Sequence, residues 1–400
     1  RALTPSSNGL EKRPKLRFPG FDEPWEHKEL LHYLVENTDR NKQLKFGKEN
    51  VLSVSGEYGI VNQIAFQGRS FAGESVADYH VVETDDIVYT KSPLKANPYG
   101  IIKVNNGVPG IVSTLYAVYH PLKTVVPRFV DFYFSNDLRL NKFLKPLVNI
   151  GAKHDMKVNN TFVLTGMVVF PPLREQQKIV DFLTILDRRI DVQRKKVEAL
   201  KKYKRGLLSR EFGQQENGDL NNRYVGKLKD YFHLSSGSTP SSTNRAFYSG
   251  NIRWVSSGEL KPKYLCETIQ HISSEAVSSC NLREYPANTL LVAMYGLEAA
   301  GVRGTASILS VPATISQACM AIQQTGEIDI EYLYYWYIYN GQWIGIRIAQ
   351  GTKQQNLSTD TLGNLRIHAP SCSKQKKVCK LLSQIDYLIE KASSYRIVNL

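Results

Sequence analysis

The stretch PPLREQQKIVDFLTILDRRID, residues 171–191, returns in a similar form as APSCSKQKKVCKLLSQIDYLIE at residues 369–390. Asp187 and Asp386 match at a separation of 199 positions, and the same separation places Gln176 against Gln375. A repeat of this length is far longer than the period of a solenoid, and each copy is large enough to be a domain. The sequence therefore predicts one structural unit that occurs twice in tandem.

The match continues upstream of the two stretches. DDIVYTK at residues 85–91 parallels NTLLVAMYG at 288–296, and the aromatic segment RFVDFYFSND at 128–137 parallels EYLYYWYIYN at 331–340. Short β-type runs alternate with turns in this part of each copy. This pattern favours a mixed α/β unit in which a sheet precedes the terminal helix.

The repeated stretches predict two long helices with an apolar seam. Pro171 and Pro172 end a strand, so the first helix should begin near Arg174. Spacings of three and four residues, which are typical of a coiled coil, separate the seam residues. In the first copy they are Ile179, Leu183, Leu186, Ile190, Val197, Leu200 and Leu207, with Gln193 and Lys204 as polar exceptions; in the second they are Val378, Leu382, Ile385, Ile389 and Ala392. Since neither helix can bury such a stripe alone, we expect the two seams to pack on each other.

The predicted fold class is therefore α/β, in its α+β form. Two tandem globular units related by a pseudo-two-fold axis should be separated by two long helices that pack as an antiparallel coiled coil. About 38 helical residues correspond to a length of roughly 57 Å. The predicted bounds are a disordered basic arm at 1–15, a first unit at 16–172, a first long helix at 173–213, a second unit at 214–370 and a second, shorter helix at 371–400.

Composition restricts the class of partner. The 400 residues carry a formal net charge of +14, which favours a polyanionic partner such as nucleic acid. The five cysteines form no CxxC pair, so reduced thiols are a better interpretation than a metal site. No apolar run approaches the roughly 20 residues that a membrane helix needs, and the polar, basic start of the sequence does not resemble a secretory signal.

Catalytic motifs are weakly represented. The sequence contains no GxxxxGK phosphate loop and no GxGxxG motif after a strand. ANPYG at residues 96–100 faintly resembles the Asn-Pro-Pro-Tyr loop of adenine methyltransferases, but the second proline is missing, and a turn before a strand is favoured. Asp85, Asp86 and Lys91 resemble a nuclease cluster, yet the second copy has Asn288 and Thr289 in place of the acids. We therefore expect a chain without catalytic activity of its own.

Residues suited to DNA contacts are more numerous. Lysine and arginine on loops can contact phosphates or guanine, and amides can pair with adenine. The candidates in the first unit are Arg69, Lys91, Lys95 and Lys103; those in the second are Arg245, Arg253, Ser256, Ser257, Tyr295, Arg303, Lys353, Gln354, Gln355 and Asn356. For each one, a solvated surface side chain is the competing interpretation. Trp254 and the cluster YLYYWYIY at 332–339 are expected to be core rather than base-stacking residues.

The order of these parts resembles that of a known family. LREQQKIVDFLTILDRRIDVQRKKVEALKKYKRGLLSREF at 173–212, the opening KLRFPGFDEPWEHKEL at 15–30 and GNIRWVSSGEL at 250–260 are similar to the specificity subunit of bacterial type I restriction-modification systems. The second copy departs from this pattern, because Lys374 stands where Glu175 stands in the first and no GLLSREF equivalent follows.

The resemblance implies a cytoplasmic, non-catalytic subunit with two target recognition domains, each of which reads one half of a split site in double-stranded DNA. It also implies that the long helices set the spacing and dock two modification subunits. Those subunits carry S-adenosylmethionine and methylate adenine, restriction subunits join to cleave, and this chain binds no cofactor. Two alternatives remain: an autonomous methyltransferase or nuclease, and a repeat adaptor that binds only protein.

Overall fold

The chain forms two compact units that divide within one long helix. The computed structural model describes residue 14 and residues 16–150, 156–213, 224–297, 301–349 and 356–398. The units are Arg1–Arg189 and Ile190–Leu400. The predicted arm at 1–15 lies outside the described residues except for residue 14, and the predicted domain bounds stay predictions.

The first unit is built from short strands and short helices. Its strands are β1 (Glu26–Glu29), β2 (Leu34–Asn37), β3 (Leu52–Ser55), β4 (Gly59–Asn62), β5 (His80–Val82), β6 (Ile87–Thr90), β7 (Ile101–Val104), β8 (Gly110–Val112), β9 (Tyr116–Pro121), β10 (Asn149–Ile150), β11 (Met156–Lys157) and β12 (Met167–Phe170). Its helices are α1 (Gln63–Gln67), α2 (Pro127–Phe134), α3 (Asp137–Leu144), α4 (Asn160–Val163) and the first part of α5 (Leu173–Phe212), with 3-10 turns at Leu30–His32 and Lys48–Asn50.

A four-stranded sheet in the order β2-β9-β6-β7 forms the centre of this unit. Strand β6 is buried at every residue, as expected for a central strand that is covered on both faces. On one face, Phe129, Tyr133 and Phe170 stack edge to face with ring centroids 4.8–5.0 Å apart around Phe170. The aromatic segment that begins at Arg128 is therefore a core helix of the unit.

The second unit repeats this arrangement. Its strands are β13 (Tyr224–Lys227), β14 (Phe232–Ser236), β15 (Ile252–Val255), β16 (Tyr264–Leu265), β17 (Gln270–Ile272), β18 (Leu290–Ala293), β19 (Ala306–Leu309), β20 (Thr314–Ile315), β21 (Cys319–Gln324) and β22 (Arg366–Ala369). Its helices are the rest of α5, α6 (Leu228–Tyr231), α7 (Ser274–Ser279), α8 (Ile330–Trp343), α9 (Thr359–Gly363) and α10 (Cys372–Val398), with 3-10 turns at Arg245–Tyr248 and Ser257–Glu259 and a π-helical turn at Ile344–Ile348.

Strand registers confirm that the two units are copies of one fold. In the first unit, Ile87 of β6 pairs with Tyr119 of β9; in the second, Leu290 of β18 pairs with Ile322 of β21. Both residues of the second pair lie the same number of positions further along the chain than their equivalents in the first. The turn that leads into the strand is also repeated. Asp85 and Asn288 precede β6 and β18 with φ angles of 70° and 64°, and short polar residues tolerate this left-handed conformation better than most.

Helix α8 is a core helix, as the sequence predicts. Tyr332, Tyr335 and Tyr337 are almost fully buried in the main apolar cluster of the second unit. Trp254 is also buried, 6% exposed, and packs edge to face on Tyr248. These aromatic residues stabilise the fold and do not present faces for base stacking.

The two long helices follow the predicted periodicity. Helix α5 has 40 residues and α10 has 27, so α5 is roughly 60 Å long. Along both helices the seam positions are buried or half-buried, and most of the residues between them are exposed. Ile179 and Leu183 pack on the core of the first unit, whereas Leu207 joins Leu382 and Ile385 in the core of the second.

Contacts within the second unit give the direction of this pairing. The Gln193 amide donates to the Ala392 carbonyl at 2.9 Å, and Lys204 Nζ donates to Asp386 Oδ1 at 2.5 Å. Residue numbers rise on α5 as they fall on α10, so the helices run antiparallel. The polar exceptions Gln193 and Lys204 thus find partners across the seam. The predicted α/β class with a long linking helix is confirmed, and the pseudo-two-fold relation of the units stays a prediction.

Among the described helices, none combines the length and the apolar character that a membrane-spanning segment requires.

Candidate nucleic-acid interface

The four candidates of the first unit lie in different environments. Arg69 is exposed after α1 and stacks on Phe71, with its guanidinium carbon 4.6 Å from the ring centroid. Lys95 is exposed in the loop between β6 and β7, and Lys91 is half-buried at the start of that loop. Arg69 and Lys95 are therefore open to solvent, and their contact with DNA stays a prediction.

Lys103 lies near the end of a strand, beside the loop that follows it, and is paired with an acid. Lys103 is in strand β7, and its Nζ lies 3.5 Å from Asp131 Oδ1 on α2. Its side chain is only 15% exposed. The sequence could not show this ion pair, because it forms only when α2 packs on the sheet.

Candidates in the second unit also divide between exposed and structural positions. Arg245 and Asn356 are exposed. Arg253 lies in strand β15, and it donates to Glu267 at 3.1 Å and to the Cys266 carbonyl at 3.2 Å. Its side chain is therefore engaged within the unit, and its contact with DNA stays a prediction.

Serine and tyrosine candidates mainly support the local fold. Ser256 forms a capping box with Glu259, donating its hydroxyl at 2.7 Å, and Ser257 is the first residue of that 3-10 turn. Tyr295 packs partly buried against the core. Arg303 Nε donates to the Leu297 carbonyl at 2.6 Å. Lys353, Gln354 and Gln355 lie outside the described residues.

Asp86 has a structural position rather than that of a nuclease acid. Its carboxylate is 1% exposed and accepts hydrogen bonds from the Glu83 amide at 2.8 Å and from the His120 ring. Burial raises the pKa of Asp86, against the opposing effect of these hydrogen bonds. With both oxygens engaged inside the unit, Asp86 orders the turn from Glu83 that leads into β6.

A polar cluster beside Lys91 was missed by the sequence reasoning. Lys91 Nζ donates to Asn160 Oδ1 at 3.2 Å, and the Asn160 amide donates to Glu36 Oε1 at 2.9 Å. Thr161 Oγ1 donates to the other Glu36 oxygen at 3.1 Å. A half-buried carboxylate, an amide and an ammonium group thus lie together where β2, β6 and α4 meet.

Each unit attaches its long helix through one glutamine. Gln176 accepts from the Val126 amide and donates to the Pro171 carbonyl, both at 2.9 Å. Gln375 accepts from the Asp329 amide and donates to the Pro370 carbonyl, again at 2.9 Å. The two glutamines that match in sequence therefore have the same function, which is to bind the helix start to the globular part.

A larger ionic network joins the second unit to the helices. Lys263 donates to Glu331 on α8, to Ser383 Oγ at 2.5 Å and to Tyr335 Oη at 2.9 Å. The Tyr335 hydroxyl donates to the Asp386 carboxylate at 2.9 Å, and the same carboxylate also accepts from Lys204 of α5. The network therefore connects the globular part to both long helices.

A cavity of about 440 Å³ lies next to this network, between the start of α8 and α10. Donor atoms of Asp329, Glu331 and Cys379 lie there within 4.8 Å of one another, which could suit a metal ion. The carboxylates already have other partners, since Asp329 caps α8 by accepting from two amides and Glu331 is neutralised by Lys263. The arrangement is thus accounted for as part of the ionic network.

In this basic chain one α/β unit occurs twice, and each copy is bound to a long coiled-coil helix. These features define a class of tandem-domain proteins that are suited to reading two segments of a polyanion. The family model described as the type I restriction modification DNA specificity domain matches residues 74–202 and again residues 222–397. The two matches cover more than half of the chain, and the chain therefore belongs to this family.

Relatives and solved structures agree with this membership. The chain is 30% identical over 170 residues to the type I restriction enzyme MjaIX specificity subunit of Methanocaldococcus jannaschii, which covers 42% of this chain and 38% of the relative. It is 25% identical over 176 residues to a type I restriction enzyme specificity subunit of Escherichia coli, covering 43% and 42%. The chain thus spans about two fifths of the length of the curated relatives it matches.

A crystal structure of the type I restriction-modification system S subunit from M. genitalium covers 94% of this chain and 93% of its own, with a TM-score of 0.58 and 12% identity. At that identity the likeness shows the fold alone. The fold of nearly the whole chain is therefore that of a solved specificity subunit.

Proposed function

We propose that this chain is the non-catalytic DNA-recognition subunit of a type I restriction-modification complex. Each globular unit reads one half of a bipartite site in double-stranded DNA. The observation that carries the proposal is the repeat itself. Two copies of the specificity domain keep the same strand registers but differ in the side chains at their loops and sheet ends. One frame with two different surfaces is suited to reading two different half-sites.

The partners in this proposal are two modification subunits, which hold S-adenosylmethionine and methylate adenine, and restriction subunits that join the assembly to cleave. Exposed apolar side chains on the long helices support a docking role for them. Ile185 and Val192 on α5 are 66% and 60% exposed, and Tyr387 on α10 is 61% exposed. A spacing of seven residues puts Ile185 and Val192 on the same face of α5, away from the seam, where a docked subunit would cover them. The complex would act in the cytoplasm, where it meets DNA.

The test is a methylome of cells that carry the reconstituted complex. The complex should methylate adenines in a split, non-palindromic site. Replacing roughly Trp25–Val169 by the matching domain of another family member should change one half-site and leave the other intact. A change in both half-sites would contradict the model of two independent readers.

Two controls separate the alternatives. The purified chain alone should transfer no methyl group and cleave no DNA, whereas an autonomous enzyme would do so. The assembled complex should lose affinity for duplex DNA steeply as salt increases, since phosphate contacts release counterions. A complex whose DNA affinity is negligible at low salt would instead support an adaptor that binds only protein.

A further inference from the structure

The cluster of Glu36, Lys91 and Asn160 lies at a position where the fold itself requires no charge. The register of the two sheets identifies the equivalent residues in the second unit. Glu36 pairs with Tyr119 as Leu234 pairs with Ile322, so Leu234 takes the place of Glu36. Likewise Thr90 pairs with Tyr116 as Ala293 pairs with Cys319, so the next residue, Met294, takes the place of Lys91.

In the second unit this position is closed and apolar. Met294 is 7% exposed within the main core, and Leu234 packs against the same core. The Leu357 amide donates to the Met294 carbonyl at 2.9 Å, which holds the segment before α9 on the sheet. The same strand and helix junction is thus stable with leucine and methionine. Packing therefore does not explain why the first unit has a carboxylate and an ammonium group there.

Further polar groups surround the cluster in the first unit. Arg40 is exposed and pairs through its backbone with His80. The His80 side chain is 2% exposed, and within the described residues its Nδ1 has no hydrogen-bond partner. Burial, followed by the charges of Arg40 and Lys91, lowers the pKa of His80 to about 4, which places these groups in one electrostatic environment. Arg40, Lys91, Glu36 and the His80 ring are therefore near enough to act on one another electrostatically.

We propose that Glu36 is a base-reading residue of the first unit and accepts a hydrogen bond from the exocyclic amino group of adenine or cytosine. This inference rests on the proposed function. A carboxylate is repelled by phosphates, so close to DNA it is useful only where it accepts from a base amino group. Asn160 and Thr161 hold the Glu36 carboxylate in one orientation. Lys91 and Arg40 offset the charge of that carboxylate and can contact the phosphate backbone of the DNA.

The first experiment uses Glu36→Gln in the reconstituted complex. Glutamine keeps the size and one acceptor, so its Oε1 can accept from the Asn160 amide and its Nε2 can donate to the Thr161 hydroxyl, but the charge is lost. We expect discrimination at one position of the first half-site to fall roughly 10-fold, in line with the loss of one good base contact. Binding to sites with each base substituted in turn identifies the amino group as that of adenine or of cytosine. Glu26→Gln, an exposed glutamate on β1 of the same unit, is the matched control and should leave every position unchanged.

The second experiment transplants the apolar pair of the other unit. The double variant Glu36→Leu and Lys91→Met should keep the thermal midpoint of the chain but lose discrimination in the first half-site alone. A lowered midpoint with unchanged specificity would show that the cluster is structural and would overturn the proposal. So would unchanged discrimination in the Glu36→Gln complex, or an equal loss in both half-sites. If the wild-type complex reads no bipartite site at all, the proposed function fails instead, whatever the variants do.

Discussion

Substitution of Lys263 by methionine should destabilise the second unit through a carboxylate left behind in the ionic network. The Lys263 side chain is 11% exposed, and it donates to Glu331, Ser383 and Tyr335 while its ammonium lies 4.5 Å from the Tyr335 ring centroid. Methionine keeps the apolar stem of the side chain but supplies neither the charge nor the hydrogen bonds. Glu331 then keeps Ser383 as a donor and loses its cation.

The size of the effect follows from burial. Removing one partner of a fully buried ion pair costs about 3–5 kcal/mol, mostly because the other charge stays unpaired. Glu331 is 28% exposed, so water offsets part of this cost, and we expect a loss of roughly 2–3 kcal/mol. Adding Glu331→Gln to the variant removes the unpaired charge. The double variant should therefore recover at least half of the loss.

The pH dependence provides an independent check. Burial alone would raise the pKa of Glu331. The hydrogen bonds from Lys263 and Ser383, together with the charge of Lys263, outweigh the effect of burial and lower that pKa below its ordinary value of 4.5. The pair therefore contributes its full stabilisation above pH 4.5, and that contribution is lost as pH falls through the lowered pKa. In Lys263→Met the pKa of Glu331 should rise, so the gap between wild type and variant should be largest near pH 7 and narrow toward acid.

Urea unfolding of the full chain at pH 7 and pH 4.5 measures both effects, and amide hydrogen exchange in α8 and α10 assigns the loss to the second unit. A Lys263→Met chain as stable as wild type, or a gap that widens toward acid, would refute the assignment of the network as a stabilising ion pair.

Three further predictions concern the attachment and length of the long helices. Gln176→Ala and Gln375→Ala should each cost about 1–3 kcal/mol in urea unfolding, because each leaves buried backbone groups unpaired, and a much smaller loss at one site would show that the two attachments differ. Arg17→Met should cost about 3 kcal/mol, since Glu175, whose side chain is 1% exposed, loses donors at 2.7 and 2.8 Å; adding Glu175→Gln should restore most of the stability, and failure to do so would assign the loss to packing. Inserting four residues near Lys195–Lys196 adds about 6 Å of helix and should lengthen the methylated spacer by about one to two base pairs, whereas unchanged spacing would exclude α5 as the ruler.

The architecture was predictable because it depends on periodicity and repetition, which are local properties of the sequence. The 4–3 spacing of apolar residues identifies α5 and α10, and the matched glutamines locate the start of each helix. The alternation of short apolar runs likewise predicts the sheets. Even the polar exceptions in the seam have a role in the structure, since Gln193 and Lys204 contact α10.

The site was less predictable because its contacts join residues that are distant in sequence. Lys103 and Arg253 look like free cations beside loops, but each is paired with an acid that only the fold brings near. Glu36 and Asn160 are 124 residues apart. An alignment of the two copies could have identified Glu36, because the equivalent residue of the second copy is Leu234. The separation between equivalent residues differs from strand to strand, however, and only the hydrogen-bond registers give the correct alignment.

The junction between each unit and its helix shows how the copies could diverge without losing the fold. Asp187 and Asp386 are equivalent, and each meets a cation, but from a different source. In the first unit, Arg128 of α2 lies 3.4 Å from Asp187; in the second, Glu331 occupies the position of Arg128 on α8.

This reversal of charge is tolerated because Lys263, on a neighbouring segment, neutralises Glu331, while Lys204 of α5 pairs with Asp386. The compensating pair Lys263 and Glu331 lies entirely between α5 and α10 in sequence. A whole globular unit can therefore be exchanged with its own charges balanced, whereas α8 alone, grafted in place of α2, would bring Glu331 beside Asp187 without Lys263. Exchange of complete units thus preserves the junction, and a protein built this way can acquire a new unit surface without redesigning its helices.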